Sequence, residues 1–148
     1  MNTKLIAITI ILLCSSIIIG QNIDSLKLTE KEIPENYKLS SRNNCISIQA
    51  CTFYENPEIY DMLIGTLKSK KIQNFDGKKD KGSIMYFEFE KDFQATVFLG
   101  SLLWGGDKPT KAHPEEFYAK GNILIIWSFK RDSPILQISK DKIKKILK

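Results

Sequence analysis

Histidine is almost missing from this chain: His113 is the only one in 148 residues. That scarcity excludes zinc sites built on paired histidines, the HExxH arrangement among them. Cysteine is sparse as well, with three residues, Cys14, Cys45 and Cys51. The eight glycines nowhere form the Gly-x-x-x-x-Gly-Lys-Ser/Thr loop that cradles phosphates. Gly100-Ser101-Leu102 does not complete a Gly-x-Ser-x-Gly nucleophile elbow. There is no internal repeat and no low-complexity tract. No cofactor and no metal ion is expected.

What is present begins with a segment unlike the rest. Lys4 is the only charged side chain of the first twenty residues, and the apolar run Leu5–Leu13 follows it, resuming at Ile17–Ile19 before Gly20. A positive start, an apolar core and a small residue before a polar stretch are the layout of a signal peptide. Cleavage after Gly20 makes Gln21 the new N-terminus, although Ile18 is bulky for the small-residue position before the cut. Two alternatives remain open. An uncleaved anchor would have only the 16 residues from Leu5 to Gly20, short of the roughly 20 that span a bilayer. A lipoprotein would be acylated at Cys14, but Leu13 stands where Gly, Ala or Ser is wanted. Export, to the periplasm or to the outside of the cell, is the expectation.

Three parts follow: a signal peptide at 1–20, a polar leader at 21–44 and a single domain at 45–148. The chain carries 22 basic and 17 acidic residues, and losing Lys4 with the signal leaves a charge of +4. That excess favours anionic surfaces only mildly. The lysines are scattered rather than interleaved with aromatics, so nucleic acid is not an expected partner. A protein or glycan of the cell envelope or exterior is, with the membrane involved only through an uncleaved or lipidated N-terminus.

Two readings compete at Cys45 and Cys51. An even cysteine count in an oxidising compartment suggests a disulfide. Against it, Ile46, Ile48 and Ala50 alternate with Ser47 and Gln49, which predicts a strand over Cys45–Tyr54. Six strand residues span ~20 Å, too far for a bridge that needs Cα atoms ~4.4–6.8 Å apart. Next, Asn56-Pro57-Glu58 has the signature of a helix start. Ile59, Met62, Leu63 and Leu67 then fall on one face, predicted to be buried. Ser83–Glu90 and Phe93–Gly100 read as a hairpin across Lys91-Asp92, Ser101–Gly121 as a long loop, and Asn122–Phe129 as a central strand buried on both sides. Ser139 is placed to cap a last helix with Ile143, Ile146 and Leu147 inward. The order β-α-β-β-β-α indicates an α+β fold: a small antiparallel sheet of about four strands with one or two helices on one face.

Structureless connections of more than about 12–15 residues are uncommon and often functional, so the contact surface is expected on loop 101–121. Trp104, Asp107, His113 and Tyr118 are its candidate binding residues. The leading expectation is a non-enzymatic binding or interaction domain. Its alternative is a small hydrolase in which His113 serves as general base beside Asp107, Glu115 or Glu116; a further one is a membrane-tethered accessory protein of the cell envelope.

Overall fold

The computed structural model describes residues 22–148; the apolar segment, Cys14 and the expected cleavage point lie outside them. Five antiparallel strands form one sheet: β1 (Tyr37–Ser40), β2 (Leu67–Gly77), β3 (Lys81–Phe89), β4 (Glu116–Lys120) and β5 (Ile123–Ser128), in the order β1-β2-β3-β5-β4. The helices are α1 (Ile48–Glu55), the single turn α2 (Asp61–Ile64), α3 (Thr96–Trp104) and α4 (Pro134–Ile146). The fold is α+β, a small antiparallel sheet with helices packed on it. It has five strands, and the helices cover both faces rather than one.

β3 and β5 are the centre, and every residue of Ile84–Phe89 and Ile123–Ser128 is buried. Alternate side chains feed two cores. Ile84, Tyr86, Ile125 and Trp127 pack with Ile135 and Ile143 of α4 and with Ile23, Leu26 and Leu28 of the leader. Met85, Phe87, Leu124 and Ile126 pack on the opposite side with Ala50 and Phe53 of α1, Ile64 of α2, and Leu99 and Leu103 of α3.

The leader, then, is part of the domain. Leu28 donates its amide to Gln73 Oε1 and accepts from Gln73 Nε2, both at 2.8 Å, as a neighbouring strand would. Tyr86 Oη donates to the same Gln73 oxygen at 2.8 Å. Two short 3-10 turns at Ile23–Leu26 and Glu30–Glu32 lead into β1.

Several local expectations are corrected. Cys45–Tyr54 is not a strand: Ser47 caps α1, its hydroxyl accepting from the Ala50 amide at 3.2 Å. Asn56 ends α1 and opens a 3-10 turn at Pro57–Tyr60 without capping it by its side chain. Of the face predicted to be buried there, Ile59, Met62 and Leu63 are exposed. Gly65, at φ 86°, ends α2 in a conformation that side-chain-bearing residues avoid.

Lys68, Lys70 and Lys71 lie on β2. Only Asn74–Gly77 of that strand pairs with β1, so Leu67–Gln73 is in effect an edge, where lysine is a usual guard. Lys70 reaches across to the carbonyls of Tyr54 and Glu55 at 2.6 and 2.9 Å, satisfying the end of α1. The predicted strand Phe93–Gly100 is mostly helix α3. The long loop shrinks to residues 105–115, because α3 takes its start and β4 its end. β4 and β5 are joined through Gly121, whose φ of 56° suits a two-residue hairpin connection. Finally, α4 starts at Pro134 behind Ser133, and Ser139 sits buried within it, accepting the Trp127 indole N–H at 2.8 Å.

Candidate functional site

The candidate residues divide between different surroundings. Trp104, at the end of α3, is half-buried: its ring stacks on Phe117 at 5.6 Å and its N–H donates to the Glu115 carbonyl at 2.9 Å. Asp107 is exposed. It shares with Trp104, Gly100 and Phe117 the wall of an open hollow of about 370 Å³. Tyr118 packs against the α4-side core, across the sheet from Trp104. The structure therefore brings Trp104 and Asp107 together and puts Tyr118 elsewhere.

His113 lies in a tight turn, its carbonyl accepting from the Thr110 amide at 3.0 Å and its amide donating to Thr110 Oγ1 at 3.2 Å. Its Nδ1 is buried, with no hydrogen-bond partner among the described residues. No hydrogen bond joins it to Asp107, Glu115 or Glu116 there. Glu116 instead pairs with Lys140 of α4.

Glu115 is wholly buried, and its tasks are structural. Oε1 accepts from the Ser47 amide at 3.1 Å and from Ser128 Oγ at 2.8 Å. Ser128 Oγ in turn accepts the Ile46 amide at 2.7 Å, so one carboxylate fastens the start of α1 to the end of β5. The neighbouring Asn44 extends this network: its amide points at Ser83 Oγ at 3.2 Å, and its Nδ2 donates to the Phe75 carbonyl at 3.1 Å. Glu115 Oε2 has no partner among the described residues.

Sequence reasoning missed a basic margin at this end of the sheet. Loop 105–115 and the β5–α4 connection face each other across an open hollow of about 580 Å³, lined by Pro109, Thr110 and Lys111 on one side and Lys130, Arg131 and Asp132 on the other. Arg131 spans the walls, its guanidinium donating to the Pro109 carbonyl at 3.3 Å. Lys130 also borders an adjoining hollow of about 320 Å³, where the β2–β3 turn supplies Lys78 and Lys79 and the first residue of β3 is Lys81, beside Asp76. Asp80 within that turn is engaged by the Tyr37 hydroxyl. Burial, then the hydrogen bond to Asp80, pushes the Tyr37 phenol up to about 12. These cations come from three separate connections, so only the folding of the sheet collects them.

No group of three or more His, Cys, Asp or Glu side chains among the described residues is arranged to hold a metal ion. No helix among them is long and apolar enough to cross a membrane. No family model, curated protein or solved structure matches the chain.

Proposed function

We propose that this is a non-enzymatic binding domain, exported from the cytoplasm, whose contact surface is the loop end of the sheet and whose partner presents acidic groups. The observation that carries the reading is the hollow between loop 105–115 and the β5–α4 connection, where Lys111, Lys130 and Arg131 stand against a single acid, Asp132. Arginine and lysine at an open cleft attract and orient carboxylate, sulfate or phosphate groups. The contact residues thus shift from Trp104 and Tyr118 towards Lys111, Lys130 and Arg131, with the loop itself still forming one wall.

A hydrolase reading rests on less, since Glu115 is committed to Ser47 and Ser128 and no hydrogen bond joins His113 to a carboxylate among the described residues. Affinity capture from extracts of the producing cells tests the binding reading. The wild-type protein should retain a component that high salt elutes and that a Lys130→Glu/Arg131→Glu variant of unchanged stability fails to hold. Identical captures by the two proteins would sink it.

A further inference from the structure

We propose that Cys45 and Cys51 are a bridging pair that locks the entry of the chain into α1. The main obstacle to a bridge was a strand, and α1 removes it. Cys45 lies two residues before the cap Ser47, and Cys51 is the fourth residue of the helix, one turn in, its amide directed at the Ser47 carbonyl at 3.4 Å.

The backbone around Cys45 is held on both sides. Asn44 is fastened to Ser83 and Phe75, Ile46 to Ser128, and Ser47 to Glu115. Both cysteines are free thiols in this structure and half-buried, and the Cys45 side chain lies within reach of that of Cys51. Preorganisation of this kind raises the effective concentration of one thiol at the other. The bridge would close a loop of only seven residues, so its role is to fix the segment 44–47, whose Ile46 borders the lysine-lined hollow.

The chemistry needs a disulfide oxidant, such as a thiol-disulfide oxidoreductase or glutathione disulfide. The Cys51 thiolate attacks one sulfur of the oxidant, forming a mixed disulfide and releasing one thiolate. The Cys45 thiolate then attacks the Cys51 sulfur and expels the second. The protein loses two protons and two electrons, and the oxidant is reduced to two thiols. At Cys45 burial first, and then the adjacent Cys51 side chain, raise the ionisation of the thiol above the usual range.

Peptide mapping tests the pair without interference from Cys14, because trypsin releases residues 43–68 as one fragment holding both cysteines and no internal Lys or Arg. The folded protein is equilibrated with glutathione disulfide, quenched in acid and alkylated. The expected fragment is two hydrogens lighter than the reduced one, carries no alkyl group, and takes up two after reduction. The Cys45→Ser variant, whose hydroxyl keeps a donor for Asn43 Oδ1, should instead accumulate a stable glutathione adduct on Cys51. The ratio of bridge to mixed disulfide should fall about tenfold or more in urea, where the preorganisation is gone. A wild-type fragment that stays doubly alkylated, or that carries glutathione as persistently as the variant, would overturn the proposal. So would a bridge that forms equally well in urea.

Discussion

The two faces of the sheet are closed by different means. On one, a single thirteen-residue helix, α4, lies with the leader across the strands, Lys144 and Lys145 outward and its apolar stripe inward. On the other, α1, α2 and α3 are of eight, four and nine residues. They bury Ala50, Phe53, Ile64, Leu99 and Leu103 but leave Ile48, Ile59, Met62, Leu63 and Val97 in the open. A long amphipathic helix can satisfy a whole sheet face with one stripe. Short helices present too few turns to bury a regular stripe, and their hold comes from individual large side chains and polar ties. Phe53, for example, meets Phe87 edge-on at 5.3 Å and stacks on Tyr60 at 5.9 Å. The polar ties include Glu115 and Lys70.

The two tryptophans, one per face, offer the strongest way to break this contrast. Trp127→Ala should cost ~3–5 kcal/mol, since it empties a buried site and leaves Ser139 without the indole N–H. Urea unfolding measures it, and a loss below that of any α3-side substitution would reverse the order of the faces. Glu115→Ala follows at about 2–3 kcal/mol, because the Ser47 amide and the Ser128 hydroxyl lose their shared acceptor. Hydrogen exchange in this variant should rise first at the start of α1. Trp104→Ala should cost ~1–3 kcal/mol, its ring being only half-buried. A loss equal to that of Trp127→Ala would show both faces to be equally dependent on their aromatic anchors.

A smaller effect, and one that depends on pH, is expected where the leader meets α4. Burial alone would raise the Glu32 carboxyl, but hydrogen bonds from Lys142 and Thr29 overcome it, and its ionisation falls below the ordinary value of 4.5. A carboxyl lowered on folding stabilises fully above its unfolded pKa and loses that contribution as pH falls through the folded one. Glu32→Gln should therefore be less stable than wild type near neutrality, by under ~1 kcal/mol for a pair still partly open to solvent. The difference should vanish in acid; denaturation curves at several pH values check it, and a gap that widens in acid would contradict the assignment. Smallest of all, Leu63→Ala should change stability by less than ~0.5 kcal/mol, its side chain being 59% exposed. A loss of about 2 kcal/mol or more, the size a core leucine gives, would mean that this face is covered after all.

How much of this was legible from the residues depended on whether burial was two-sided. β3 and β5 are flanked by strands and covered above and below, so their near-continuous apolar runs stand out. Segments touched on one side only were misread. In Ile46–Ala50 five alternating residues imitate a strand, while the decisive contacts, Ser47 to Ala50 and Glu115, are a local cap and a partner 68 residues away. Ile59, Met62 and Leu63 have helical spacing without a surface to meet. The lysines of β2 obscure a strand because half of it is an edge. Of the candidate site, loop 105–115 was legible only as the middle of a longer run, 101–121, whose ends are α3 and β4. The cations opposite it were not, because Lys111, Lys130 and the Lys78–Lys81 group are scattered in sequence and meet only at the end of the folded sheet.

One tie described above also governs when folding can be completed. Lys142 Nζ donates to the Lys27 carbonyl at 2.6 Å and to Glu32 Oε2 at 2.7 Å, across separations of 115 and 110 residues. The strand hairpins can pair while the chain is still growing, but the α4-side core has no roof until residues 134–147 exist. Until then Tyr86, Ile125 and Trp127 face water, and the leader has only half of its anchorage. Contacts so distant in sequence close late and slow the search for the native state. A protein whose first and last described segments must meet to seal a core completes that core only once its final helix is in place.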